Sequence, residues 1–148
     1  MTDSQRQATS KITSFEQVLH GLSKEGHFQA AVLASGEGLP IATAQSDPKE
    51  GVRSTYPGGV GSGTKPDAEL TAAMVALLQK VSKEARQELG MAELDEVTVF
   101  DRAGTRLVCR FFSLDGEDLI LALMVSPKAR YRRASTWAIR QFHDLCRR

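Results

Sequence analysis

The sequence predicts a single α+β domain in which helices cover an antiparallel sheet. Its 148 residues are the length of one ordinary domain, and 41% of them are apolar, which is enough to form a sizeable core. Short apolar segments joined by Gly-containing turns predict strands in hairpins, and longer segments with apolar residues at helical spacing predict helices. Along the chain these are a helix, two strands, a helix, three strands and a helix, which is typical of a sandwich around one sheet.

The first helix follows a polar segment, residues 1–11, which we expect to be a tail outside the domain, residues 12–148. Apolar residues then recur at the spacing of one helical stripe: Ile12, Phe15, Val18, Leu19 and Leu22. Ser10 or Thr13 is suited to cap this helix at its start, and Gly26 to end it.

Two short strands follow in a hairpin. Phe28–Ala34 is too short and too apolar for a surface helix and therefore predicts a buried strand. Gly36 and Gly38 suit the turn, and Leu39–Ala44 predicts the returning strand. Because Pro40 has no backbone N–H to donate, this second strand is expected at an edge of the sheet.

Residues 45–66 contain five of the twelve glycines and three of the five prolines. This composition predicts a long mobile loop rather than a second domain. Within it, Gly58–Lys65 nearly matches a phosphate-binding P-loop, but in that motif the lysine directly follows the last glycine, and a buried strand precedes the loop. Here Thr64 intervenes and no such strand precedes, so no nucleotide or other cofactor is expected.

The central helix is predicted from Asp67, a suitable N-cap, to Leu89, with Gly90 suited to the left-handed exit. Its larger apolar residues share one broad face that we expect to pack on the sheet: Leu70, Ala73, Met74, Leu77, Leu78, Val81, Ala85 and Leu89. The opposite face carries smaller and partly polar residues: Ala72, Val75, Ala76, Gln79, Lys83 and Arg86. A small and partly apolar surface lets another backbone approach, which favours pairing with a second helix.

Three further strands and a last helix complete the predicted fold. The strands and their turns are expected at Leu94–Phe100, Asp101–Gly104, Thr105–Ser113, Asp115–Gly116 and Leu119–Val125. Because Leu119–Val125 is apolar on both sides, it is expected in the middle of the sheet. Ser126 is expected to cap the last helix, with Pro127 in its first turn.

The sequence offers no candidate residue for catalysis or metal binding, so an enzyme is not expected. His20, His27 and His143 lack the close spacing of zinc ligands, and no nucleophile motif is present. The apolar runs are far shorter than the roughly 20 residues of a membrane helix, so no membrane partner is expected. Cys109 and Cys146 are too few for a disulfide framework, which makes a reducing cytoplasm the expected compartment.

Charge is distributed unevenly along the chain. Residues 128–148 hold seven basic residues against one acidic residue, and residues 90–127 hold three basic against seven acidic. Such asymmetry can steer partners, and two solvated faces of one domain can also produce it. The basic last helix leaves nucleic-acid binding open, although no known nucleic-acid motif accompanies it.

Three segments resemble the roadblock (dynein light chain) family, most of all its bacterial and archaeal gliding-motility branch. They are FQAAVLASGEGLPIATA (28–44), DAELTAAMVALLQKVSKEARQELG (67–90), and ELDEVTVFDRAGTRLVCRFF with DLILALMV (93–112 and 118–125). The resembling pattern is a strand, Gly-x-Gly-Leu-Pro-Ile-Ala, a second strand and an Ala-rich helix, within a likeness that covers residues 12–146. The loop at 45–66 is longer than the usual link at that place.

The resemblance implies a five-stranded antiparallel sheet in the order 2-1-5-4-3, with the central helix on one face and the terminal helices on the other. Members of the family join as homodimers or heterodimers through the third strand and through central helices laid side by side. They are non-enzymatic scaffolds for Ras-like small GTPases, and the gliding-motility branch stimulates GTP hydrolysis by its partner.

Carried onto this chain, the resemblance implies a homodimer interface on the central helix and the third strand: Ala72, Val75, Ala76, Gln79, Val97 and Val99. Lys83 and Arg86, beside that face, are candidates to contact the GTPase. The expected function is a homodimeric adaptor or regulator of a Ras-like small GTPase. Two alternatives stay open: a small-molecule sensor of a related sandwich fold, and a nucleic-acid binder that acts through the basic last helix.

Overall fold

A computed structural model of the protein describes residues 2–26, 28–45 and 67–147. The helices are α1 (Asp3–Gly26), α2 (Ala68–Leu89) and α3 (Arg132–Cys146). The strands are β1 (Ala30–Ser35), β2 (Pro40–Gln45), β3 (Glu96–Phe100), β4 (Arg106–Leu114) and β5 (Glu117–Val125). The predicted order of elements is confirmed. The loop expected at 45–66, with its P-loop-like segment, lies outside the described residues from position 46 onward.

The five strands form one antiparallel sheet in the order β2-β1-β5-β4-β3, as the resemblance implied. β5 lies in the middle, where Leu119–Leu123 are buried, and its two apolar faces explain that place. β2, which begins at Pro40, is an edge strand, as the missing N–H of proline requires. β3 forms the opposite edge.

The sheet is covered on both faces, so the fold is the predicted three-layer sandwich. On one face, α1 and α3 contribute Phe15, Leu19 and Phe142 to the larger core cluster, in which the Phe15 and Phe142 rings meet edge to face at 5.3 Å. On the other face, α2 packs against a smaller cluster that includes Val32 and Ile120. No helix within the described residues is long and apolar enough to cross a membrane.

α1 begins nine residues earlier than its apolar stripe, so residues 3–11, expected as a polar tail, are helical. The backbone N–H of Gln5 donates to Thr2 Oγ1 at 3.4 Å, and the N–H of Thr2 donates to Gln5 Oε1 at 3.1 Å. This reciprocal pair is a capping box, and it starts the helix upstream of Ser10 and Thr13. Residues 3–13 are exposed throughout, which is why no apolar periodicity marked them.

α3 begins later than expected, because Ser126 forms a turn instead of a helix cap. The carbonyl of Ser126 accepts a bond from the N–H of Ala129 at 3.1 Å. The guanidinium of Arg106 also donates to the carbonyls of Ser126 and Ala129. These bonds hold the segment outside the helix, which starts at Arg132. By contrast, both ends of α2 are as predicted: Asp67 Oδ1 accepts from the N–H of Glu69 at 2.9 Å, and Gly90 is left-handed at φ 67°.

Candidate functional site

The two faces of α2 are inverted relative to the sequence-based prediction. Ala72 and Val75, expected on an outer face, are completely buried against the sheet, and Gln79 is only 5% exposed. Ala76 is partly buried in the same cluster. Ala72, Val75 and Gln79 are therefore not on the surface that a second subunit could meet, because their side chains already pack inside their own subunit. The assignment of the partly buried Ala76 to a dimer interface stays a prediction.

The inversion follows from how closely α2 approaches the β1–β2 turn. Gly38 has φ +93°, and a Cβ atom placed on it would lie 3.4 Å from the Cα of Ala73 and from the Cβ of Ala76. A Cβ on Gly36 would lie 3.4 Å from Gln79 Oε1. The turn and the helix thus approach so closely that a single added methyl group would fill the space, which leaves no room for leucine or methionine between them. The Gly-x-Gly turn and the alanines of α2 are the sequence signal of this close approach, whereas side-chain size alone predicts that the other face is buried.

Four large apolar side chains of α2 consequently face outward, whereas Leu78 packs against the smaller core cluster. Leu70, Met74, Leu77 and Val81 are 61%, 48%, 53% and 56% exposed, and we call these four residues the α2 stripe. Their spacing of four, three and four residues places them in one line along the helix. A contiguous row of large apolar side chains on a surface marks an interaction site more often than chance exposure does.

The edge strand β3 offers a second feature on the same layer of the sandwich. Val97 pairs directly with Cys109, and Val99 with Leu107, so both valines point to the α2 side of the sheet. Val99 is 44% exposed and Val97 is partly buried. Within the described residues β3 pairs only with β4. Its other edge therefore presents unpaired N–H and C=O groups to which a further strand can add.

Polar contacts on the opposite face fix the position of β3. The hydroxyl of Tyr131 donates to Glu96 Oε2 at 2.8 Å, and burial, together with this carboxylate, raises the pKa of Tyr131. Arg132 lies 3.7 Å from Asp95 and 4.0 Å from Glu96. Arg110, which is 8% exposed, lies 3.4 Å from Asp95. These contacts join the start of β3 to α3 and β4, so the free edge is held in place.

A cavity of about 340 Å³ lies between the C-terminal half of α2 and the sheet. It is lined by Gln79, Lys83, Arg86, Gln87, Glu93, Leu94, Phe111, Phe112, Ser113 and Asp118. Lys83 Nζ and Ser113 Oγ both donate to Asp118, each at 3.1 Å. The hydrogen bond from Lys83 is the main reason why the pKa of Asp118 is lowered, followed by that from Ser113. Within the described residues, no group of three His, Cys, Asp or Glu side chains could hold a metal ion.

The two candidate partner-binding cations differ in their surroundings. Lys83 has a side chain that is 54% exposed, and its ammonium group is reachable from solvent although it pairs with Asp118. Arg86 is partly buried in the cavity, and its Nε atom is inaccessible and has no hydrogen-bond partner. Both residues therefore lie on the same part of α2, but only Lys83 has an exposed side chain.

The element order, the strand order and the distribution of helices over the two faces together define the roadblock fold. The chain is similar to the gliding protein MglB of Thermus thermophilus, with a TM-score of 0.66 at 18% identity over 93% of this chain and 89% of that one. It is equally similar to an MglB structure with a tetrameric arrangement (TM-score 0.66, 18% identity, 93% and 88% covered). A roadblock/LC7 domain from Streptomyces avermitilis matches at a TM-score of 0.56 and 19% identity over 89% and 91%. No family model and no curated protein matches the sequence.

Proposed function

We propose that this protein is a cytoplasmic, non-enzymatic roadblock adaptor that forms a homodimer and binds a Ras-like small GTPase. The observation that carries the proposal is the α2 stripe, an exposed line of four large apolar side chains on the same layer as the free edge of β3. A second subunit is the partner that would supply an identical stripe and an identical strand edge, as a two-fold interface requires.

The size of the stripe is sufficient to contribute to a stable dimer. Pairing two copies buries four large side chains from each subunit, and each is about half exposed before pairing. Half of the free energy for burying such a side chain is about 1 kcal/mol, so the two stripes contribute about 8 kcal/mol. Association itself costs roughly 4–15 kcal/mol, and the strand edges, with Val97 and Val99, add hydrogen bonds and apolar contact. The stripes thus offset much of the cost of association, and a dimer at micromolar concentration requires the strand edges to pair as well.

The GTPase part of the proposal rests on the likeness in fold to the gliding protein MglB and on the exposed ammonium of Lys83. Any acceleration of GTP hydrolysis would act by ordering the switch loops of the partner, since switch segments change between ordered and disordered states. No arginine of this chain is assigned as a finger supplied in trans. The adaptor would thus hold the switch loops of its partner in the conformation that hydrolyses GTP, and would contribute no catalytic residue itself.

Binding to a Ras-like GTPase from the same organism tests this part directly. We expect the dimer to bind the GTP-analogue form at least tenfold more tightly than the GDP form in calorimetry. Lys83→Ala should weaken binding about tenfold, because it removes an exposed cation, whereas Lys80→Ala on the same helix serves as the matched control. Absence of binding to both the GTP-analogue form and the GDP form at 100 µM protein would refute the GTPase role. It would not affect the proposal of a homodimer.

A further inference from the structure

We propose that the cavity under the C-terminal half of α2 is a binding site for a small organic acid, one that carries a carboxylate next to an apolar group. This site lies beyond the adaptor function proposed above and does not depend on it, because the cavity is formed within one subunit. The inference rests on a cation without an ion-pair partner, an amide side chain and an apolar wall that meet in the same cavity.

Arg86 is the cation without a counter-ion. Its Nε is buried with no hydrogen-bond partner, and its guanidinium forms no ion pair with any described residue. Of the two acidic residues that line the cavity, Asp118 already accepts from Lys83 and Ser113, and Glu93 is exposed and forms no ion pair within the described part of the chain. A guanidinium donates through a planar fork that matches the two oxygens of a carboxylate, so an anion of this shape would give Arg86 the counter-ion that no described residue provides.

Gln79 provides a second donor from the same helix. It is 5% exposed, lines the cavity, and makes no side-chain hydrogen bond to another described residue. Its amide atoms are not among the buried polar atoms without a partner, so they are open to the cavity and can donate to a ligand there. Gln79 and Arg86 are seven residues apart, which places both side chains on one side of α2, two turns from each other. A carboxylate held by Arg86 can therefore accept from Gln79 as well.

The remaining wall of the cavity sets the size and character of the ligand. Phe111 and Leu94 contribute apolar surface, which suits a hydrocarbon group better than a second charge. A volume of 340 Å³ is near the lower end for small-molecule sites. Since a liquid-like packing takes about 30 Å³ for each water-sized group, the cavity holds roughly ten such groups. An aryl-substituted short-chain acid such as 3-phenylpropanoate has this size and this chemistry.

A titration followed by NMR compares three probes on the ¹⁵N-labelled full chain: 3-phenylpropanoate, its uncharged amide, and a dipeptide with blocked ends that contains phenylalanine and glutamate. We expect the acid to bind with a millimolar dissociation constant, in keeping with the efficiency of ligands of this size. Its binding should shift the side-chain amide signals of Gln79, and the uncharged amide should bind at least tenfold more weakly. If only the blocked dipeptide binds, the site recognises an acidic protein segment, and the proposal of a small acid is overturned.

Two matched variants each remove one guanidinium. Arg86→Met removes it from the cavity, and Arg133→Met removes it from an exposed position on α3. Since the guanidinium of Arg86 bonds to no described residue, Arg86→Met is expected to fold normally, and an unchanged amide spectrum outside the cavity verifies this. Arg86→Met should lose at least tenfold in affinity for the acid, and Arg133→Met should lose none. Equal affinity of the two variants, or no saturable shift of the wild-type signals up to 20 mM acid, overturns the proposal.

Discussion

Replacing Leu77 by glutamate is the sharpest test of the proposed dimer, because Leu77 lies within the α2 stripe and faces solvent in one subunit. It is 53% exposed, so pairing buries about half of its side chain and contributes about 1 kcal/mol per copy. A two-fold interface loses this contribution twice. It also acquires two carboxylates, each of which costs at least about 1–3 kcal/mol when it is desolvated without a partner.

The sum is a loss of at least about 4 kcal/mol in dimerisation, or about a thousandfold in the dissociation constant, since a tenfold change corresponds to 1.4 kcal/mol. Sedimentation equilibrium between 1 and 100 µM should therefore show a dimer for the wild type and a monomer for Leu77→Glu. The thermal stability of the variant subunit should change little, because surface substitutions shift stability by about 0.5 kcal/mol.

Ile12→Glu is the matched control, because it adds the same charge at a partly exposed apolar residue of α1, on the opposite face of the sheet. This variant should remain dimeric. Ala76→Glu would not serve the purpose, since Ala76 packs against Gly38 within the subunit and the variant would damage the fold. A Leu77→Glu protein that dimerises as tightly as the wild type would refute the role of the α2 stripe.

Three further predictions follow from the packing and the titration of individual groups. Ala72 is completely buried, so Ala72→Leu should lower the free energy of unfolding by about 1–3 kcal/mol through overpacking. Ala85 is exposed on the same helix, so Ala85→Leu should leave the free energy of unfolding nearly unchanged. Urea denaturation of the two variants measures the difference. Burial raises the pKa of Cys109 to about 12, so its thiol should resist Ellman's reagent at pH 8 in the folded protein and react after denaturation. The pKa of Asp118 is lowered, so its ion pair with Lys83 is stabilising above the ordinary aspartate pKa of about 4, and this contribution is lost as the pH falls through the lower pKa of the folded state. Asp118→Asn should cost less than about 1 kcal/mol at pH 7, because the pair is exposed. The cost should be smaller at pH 2, as urea denaturation at the two pH values should show.

Most of the fold could be predicted because its signals are local. The strands, the turn glycines, the Asp67 cap and the Gly90 exit each depend on the conformational preference of a few neighbouring residues. The starts of α1 and α3 could not be predicted from apolar periodicity. α1 extends over exposed residues through the Thr2–Gln5 capping box, and α3 is shortened because Arg106, 20 residues before Ser126, binds the carbonyls of the preceding turn.

The candidate site was predicted only in part. The choice of α2 and β3 as the interacting elements is retained in the proposal, together with Val97, Val99 and Lys83. The residues of α2 that face outward differ from those expected, and the cavity around Arg86 had no signature in the sequence. Its lining comes from α2, the segment before β3, and strands β4 and β5, which only folding brings together.

By itself, the amino-acid sequence determined which segments become helices and strands, because backbone preferences and apolar spacing act over a few residues. It also determined that α2 has two apolar faces of different size. Which face is buried was decided by tertiary structure: Gly38 lies so near α2 that even a Cβ atom on it would be in van der Waals contact with Ala73 and Ala76, and close packing there admits only small side chains. The larger side chains of α2 were thereby left at the surface, where another molecule can meet them.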